Sequence, residues 1–236
     1  MKETSKSVMR RLHDSRFVSR FFVGEGIDVG CGTDPISLYS ELFPLMKTVK
    51  AWDVSDGDAQ FLASVKDETF DFVHSSHCLE HLVDPAVALG NWFRVLKPGG
   101  YLVMLLPDED LYEMGTFPSR VNPDHKWTFT LYKESSWSGR SVNVVDLIKT
   151  LGGIVQPVKL ELLDASHRYG LPAMDQTLTP VGECAIEVVL RKRCTDEVTV
   201  KGRLPPPGGM TLDTYYALTG IRIPVPETSP AKPKRR

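Results

Sequence analysis

Residues 26–35, GIDVGCGTDP, constrain this chain more than any other stretch. An apolar lead-in (Ile27, Val29) carries one acidic residue, Asp28, and breaks into two glycines one residue apart, Gly30 and Gly32. A buried strand that turns through Gly-x-Gly lets a ligand touch the backbone, because no Cβ stands in the way. Asp34-Pro35 then reads as a helix start, Asp as N-cap and Pro in the first helical position. Strand, glycine turn and helix N-terminus together make a nucleotide-type binding loop.

The rest of the chain keeps a strand–helix rhythm. Residues 5–22 (SKSVMRRLHDSRFVSRFF) read as an amphipathic helix with Val8, Leu12, Phe17, Phe21 and Phe22 on one side. Its Arg10, Arg11, Arg16 and Arg20 read as a solvated basic face. A helix is expected from Pro35 to about Phe43, burying Ile36, Tyr39, Leu42 and Phe43 before Pro44 stops it. Residues 47–54 form a second strand that ends on Asp53, and 70–75 a buried third. The helix opened by Asp84-Pro85 turns Ala88, Leu89, Trp92, Phe93 and Leu96 to the sheet, and Lys97-Pro98-Gly99-Gly100 ends it. Residues 101–106 are strand again, closing on Pro107-Asp108. Such alternation calls for right-handed parallel crossovers and an α/β, Rossmann-like doubly wound sheet.

From 109 to 140 the pattern lapses, and an irregular stretch of that length reads as a lid or acceptor loop. A helix over 141–151 and strands over 154–163 and 184–192, the last two antiparallel, complete a domain over 1–194. Residues 195–236 form a Pro-rich, basic extension with a stiff spacer at Pro205-Pro206-Pro207-Gly208-Gly209 and a KPKRR tip that reads as a solvated tail. A net charge of −2 argues against a nucleic-acid partner. No run approaches the ~18 apolar residues of a membrane span, and the polar N-terminus lacks the apolar core of a secretory signal. Cys31, Cys78, Cys184 and Cys194 show neither a CxxC pair nor metal-ligand spacing, so a reduced, cytoplasmic protein is expected.

Two cofactors compete for the loop. A dinucleotide wants a third glycine where Pro35 stands, so its pyrophosphate argument fails. A ligand with an ammonium, a carboxylate, a ribose diol and an adenine fits better. Asp28 can answer the ammonium directly or through water, the backbone at Gly30 and Gly32 the carboxylate, and Asp53, 25 residues past Asp28, both ribose hydroxyls. That ligand is S-adenosylmethionine.

GIDVGCGTDP, Asp53, GDA at 57–59, FDFVHSSHCLEHL at 70–82 and RVLKPGGYLVMLLPD at 94–108 resemble the class I S-adenosylmethionine-dependent methyltransferases, specifically the type 11 branch. The resemblance implies seven mostly parallel strands, the last antiparallel, with helices on both faces. It implies that Gly30, Cys31 and Gly32 line the methionine moiety, Asp53 binds the ribose, Asp58 takes the adenine amino group beside Ala59, and Ser76 and His77 lie near the transferable methyl. One departure stands out: only four residues separate Asp53 from Asp58, where such proteins insert a helix and a strand.

For the chemistry, His125 in NPDHKWTFT and Asp108 are the candidate bases, with Trp127 and Phe129 beside His125 either forming an acceptor pocket or packing the lid. HCLEH puts His77 and His81 four residues apart around Glu80, but the zinc-protease order H-E-x-x-H is absent; His81 reads as a structural cap and no metal is expected. The resemblance points to a small-molecule or glycan-like acceptor methylated on oxygen. The alternative is a methyltransferase-fold scaffold that docks a protein partner, or a second copy in a homodimer, through 195–236.

Overall fold

The computed structural model describes residues 2–172 and 175–201, so the spacer at 205–209 and the KPKRR tip lie outside the described residues. The unit that ends at Thr195 is built on a six-stranded sheet. In chain order its elements are α1 (Glu3–Leu12), β1 (Gly24–Val29), β2 (Met46–Trp52), β3 (Phe70–Ser76), α2 (Pro85–Arg94) and β4 (Leu96–Pro107). Then follow β5 (Thr128–Thr130), β6 (Ser141–Asn143), α3 (Val144–Lys149), β7 (Val155–Leu163) and β8 (Ala185–Lys192).

The strand order is β2-β1-β3-β4-β8-β7. The first four run parallel, and β8 lies antiparallel to both β4 and β7. Strands β5 and β6 form a separate parallel pair inside and just past the long loop. Alternation along each strand splits the core in two. Ile27, Val29, Val73, Leu102 and Met104 face α2 and α3. Phe72, Val103 and Val189 face Val8 of α1, the Phe17/Phe21/Phe22 cluster, Ile36 and Phe43.

The seventh strand is missing, and the reason is local. Between Asp53 and Phe70 the chain has one 3-10 turn, Val54–Asp56, and no strand. Two tryptophans pin this short connection: Trp52 Nε1 donates to Gly57 O (3.1 Å) and Trp92 Nε1 to Ala59 O (2.8 Å). Among the described residues the sheet therefore ends at β2.

Local signals succeed where the cap chemistry is simple. Asp84 accepts from the amides of Ala86 and Val87, Pro85 opens α2, and Trp92 and Phe93 are buried as core. Elsewhere tertiary contacts override them. The single helix over 5–22 is α1, a break at His13–Asp14 and a wide π-type turn at Phe17–Phe21. Asp34 does not cap the segment that follows it: it accepts from Ser5 N in the first turn of α1 (2.8 Å) and from Tyr39 Oη (2.5 Å), Pro35 is extended, and 36–42 is a kinked 3-10 segment with Leu42 exposed. The helix expected over 141–151 is shortened to α3, because 141–143 pair as β6. Likewise α2 stops at Arg94 and Leu96 already belongs to β4.

The basic face of α1 is not solvated. Arg11 is wholly buried, with Nε 3.0 Å from Glu187 Oε1 on β8 and Nη1 3.1 Å from His74 Nε2 on β3. Arg10 grips Glu183 and Glu187, and Lys159 adds a third cation to Glu187. Burial alone would raise the Glu187 carboxyl, but Arg11, Arg10 and Lys159 outweigh it and hold it far below the usual carboxylate range. Only Arg16, paired with Asp14, and Arg20 stay at the surface.

Candidate functional site

The strand ends β1 and β3, the N-terminus of α1 and the long loop converge on one cleft of about 180 Å³. Glu3 and Thr4 come from α1, Gly30, Cys31, Gly32 and Asp34 from the glycine loop, and Ser76, His77, Glu80 and His81 from the exit of β3; Asn122 and His125 come from the loop. A second cavity of about 520 Å³ adjoins it, lined by Phe117, Pro118, Lys126, Trp127 and Arg140. His125 borders both.

The two glycines of the loop do different work. Gly30 (φ +71°) packs against Cys78, so that a Cβ there would lie 2.4 Å from Sγ. Gly32 (φ +52°) has nothing within 4 Å of a Cβ position, so its backbone faces open space in the cleft. Beside it, Ser76 Oγ and His77 Nδ1 are buried without hydrogen-bond partners. An open backbone next to orphaned polar atoms fits a polar ligand such as the amino-acid end of S-adenosylmethionine.

The structure separates the remaining predicted residues. Asp53 stands at the end of β2 next to Gly30, whose amide donates to Trp52 O (2.8 Å); its Oδ1 accepts from Val54 N, and it remains part-exposed. Burial, then the charges of Asp28 and Asp53, push the Cys31 thiol up to about 11. Asp58 is exposed, turned onto Gln60 N, and Ala59 packs against the core rather than into the cleft.

Asp28 does not reach the cleft at all. Alternation points it to the face opposite Ile27 and Val29, where its register partner on β3 is His74. Oδ1 lies 2.7 Å from His74 Nδ1 and Oδ2 accepts from Ile36 N at 2.6 Å, so the carboxylate caps the 36–42 turn from inside. Arginine can only donate, so His74 accepts from Arg11 at Nε2 and donates to Asp28 from Nδ1. A continuous buried chain thus runs Glu187–Arg11–His74–Asp28 to the glycine loop.

Asp108 is likewise drawn away. Its Oδ1 accepts from the amides of Asp110 and Leu111, it lines neither cavity, and burial raises its carboxyl to about 6. His125 is the candidate base that the fold does deliver. Its Nδ1 is 2.6 Å from Glu113 Oε1, its ring stacks on Tyr112, and its Nε2 faces Glu80. His81 is no cap: its Nδ1 contacts Asp124 Oδ2 (3.0 Å) in the long loop. Burial raises Glu80 to about 7 and lowers His77 to about 3, which keeps that imidazole neutral.

Residues 3–141 match the profile of the family described as "Methyltransferase domain". The chain belongs to this family. Its members are class I methyltransferases whose donor is S-adenosylmethionine. Among solved structures, this methyltransferase resembles an S-adenosylmethionine-dependent methyltransferase from Archaeoglobus fulgidus: TM-score 0.52, 16% identity, 81% of this chain and 95% of that one covered. It also resembles a Listeria monocytogenes protein assigned as an S-adenosylmethionine-dependent methyltransferase (TM-score 0.53, 14% identity, 81% and 99% covered). At these identities the likeness is one of fold. An uncharacterised 37.1 kDa protein in a Streptomyces fradiae transposon is 41% identical over 64 residues, 27% of this chain and only 18% of that protein. No helix among the described residues is long and apolar enough to cross a membrane.

Proposed function

We propose that the protein transfers the methyl group of S-adenosylmethionine to a hydroxyl of a small or glycan-like acceptor. The observation that carries the reading is the cleft itself, where the glycine loop and His125 meet and a second cavity opens on the far side of His125. Gly30, Cys31 and Gly32 would hold the methionine moiety and Asp53 the ribose, with Ser76 and His77 near the sulfonium. Asp28 braces the loop from behind instead of binding the ammonium.

Methyl transfer is an in-line displacement, so alignment of the two reactants supplies roughly 7–11 kcal/mol. An imidazole placed as His125 is serves oxygen transfer in one of two ways: as a general base, worth about 10²–10⁴-fold, or as the ligand of an ion that acidifies the hydroxyl. The adjoining cavity offers the acceptor an indole and a phenyl ring beside two cations, Lys126 and Arg140, which suits a ring-shaped, oxygen-rich molecule carrying negative charge.

Calorimetric titration with S-adenosylmethionine tests this, repeated on Asp53→Ala. Binding that weakens at least tenfold in the variant, followed by label from methyl-labelled donor entering a small-molecule or glycan fraction of cell extract, is expected. No heat with the parent protein removes the enzyme reading; heat without transfer to any fraction leaves the scaffold reading.

A further inference from the structure

We propose that the cleft is also a divalent transition-metal site, with Glu80, His81 and His125 as its three ligands. The observation that demands it is Glu80. Its side chain is wholly buried, and neither carboxylate oxygen has a hydrogen-bond partner. An uncompensated carboxylate in a protein interior is expensive, and buried charges pair or coordinate metals. Three imidazole nitrogens stand around Oε1: His77 Nδ1 at 3.6 Å, His125 Nε2 at 3.8 Å and His81 Nε2 at 3.9 Å.

Those distances are too long for hydrogen bonds and suit atoms that share an ion. Ligands bonded at ~2.0–2.2 Å to one tetrahedral centre lie about 3.4 Å apart. One ligand atom each from Glu80, His81 and His125 already falls within 4.8 Å of the others, so closing onto an ion takes shifts of up to about 0.7 Å per atom.

The surroundings of the imidazoles are an independent sign. His125 directs Nδ1 to Glu113 Oε1 (2.6 Å) and His81 directs Nδ1 to Asp124 Oδ2 (3.0 Å). Each carboxylate fixes the proton on Nδ1 and leaves the Nε2 lone pair aimed at Glu80, the arrangement that orients metal-binding histidines. Behind His77, Glu3 Oε2 lies 3.9 Å from Nε2. A donor set of imidazoles and one carboxylate suits zinc, manganese, iron, cobalt or nickel rather than calcium or magnesium.

The chemistry of such an ion bears on the acceptor, and this part rests on the oxygen-transfer reading. Placed between the glycine loop and the aromatic cavity, an ion with an open position would bind the acceptor hydroxyl and lower its pKa. The hydroxyl gives its proton to solvent, its oxygen forms the new bond to the methyl carbon as the carbon–sulfur bond breaks, and sulfur keeps the electron pair. His125 is then a ligand and not the base.

The test uses the full chain stripped with chelator and titrated calorimetrically with zinc, manganese or cobalt ions, with cobalt also followed by its visible absorption. One equivalent bound, and at least ~100-fold weaker uptake in Glu80→Gln and His125→Ala, is expected; Glu113→Gln should weaken it about 10–100-fold and the exposed-site control His13→Ala not at all. Because a bound ion would use the Glu80 carboxylate, metal should raise the melting temperature of the parent and leave that of Glu80→Gln nearly unchanged. No uptake by the parent, or equal uptake by Glu80→Gln, overturns the metal site. Titrating the stripped protein with S-adenosylmethionine keeps the two readings apart: heat there, with no metal uptake, ends this inference and leaves the methyltransferase reading intact.

Discussion

Alanine at Gly30 and alanine at Gly32 should do opposite kinds of damage. At Gly30 the new Cβ would lie 2.4 Å from Cys78 Sγ and 2.5 Å from its Cβ, in a backbone held at φ +71°. Left-handed geometry costs a non-glycine residue about 1–2 kcal/mol, and overpacking a filled core about 1–3 kcal/mol. A loss of ~2–5 kcal/mol at ~2–4 °C per kcal/mol for a chain of this size lowers Tm by roughly 4–20 °C. At Gly32 the Cβ meets nothing within 4 Å, so only the φ +52° strain applies, ~1–2 kcal/mol or roughly 2–8 °C. That methyl group instead enters the cleft against the backbone where the donor's carboxylate would bind. We expect Gly32→Ala to fold and to bind S-adenosylmethionine at least tenfold more weakly, and Gly30→Ala to show its main defect in the melt. Scanning fluorimetry and calorimetric titration on both variants decide it. Equal losses of Tm, or parental affinity in Gly32→Ala, would refute the assignment of the two glycines to core and cleft.

Two further outcomes follow from the buried charge chain. Glu187 is ionised well below its ordinary 4.5, so its stabilisation is complete above that value and drains away as pH falls towards the folded-state pKa; urea midpoints measured from about pH 6 down to pH 3 should drop in the parent and flatten in Glu187→Gln, and parallel curves would contradict the assignment. Arg11→Met breaks the chain at its centre and should cost about 3–5 kcal/mol in urea unfolding, towards the lower end because Arg10 and Lys159 still hold Glu187; a cost below about 1 kcal/mol would mean that Arg11 carries no net stabilisation.

How much of this was legible in the sequence depends on how far apart the partners lie. The turn through Gly30 and Gly32, the Asp84-Pro85 cap and the buried stripe of α2 as far as Phe93 are each written within ten residues and form as read, whereas the helix start at Asp34-Pro35 does not form and Leu96 falls in β4. The four-residue gap after Asp53 already hinted at the missing layer, and the sheet has six strands because that layer is absent. The charge chain was illegible: Arg11 meets His74 across 63 residues and Glu187 across 176, and a cation on a helix face gives no sign of a partner that distant. The side on which Asp28 lies was illegible for the same reason, since its facing partner His74 is set by strand register. The His/Glu cluster was half visible. HCLEH supplies two imidazoles and the carboxylate, but the third arrives on an aperiodic loop that no pattern could place.

The edge that β2 forms among the described residues also shapes how the protein behaves at high concentration. An outer strand without a neighbour offers a row of unpaired amides and carbonyls onto which another molecule's strand could add. On β2 that row runs beside two exposed lysines, Lys47 and Lys50, the second lying over the Trp52 ring. Two copies meeting edge to edge would bring four ammonium groups together before any ladder formed. The trimmed layer, which shortens the fold, thereby leaves its own safeguard against polymerisation in place.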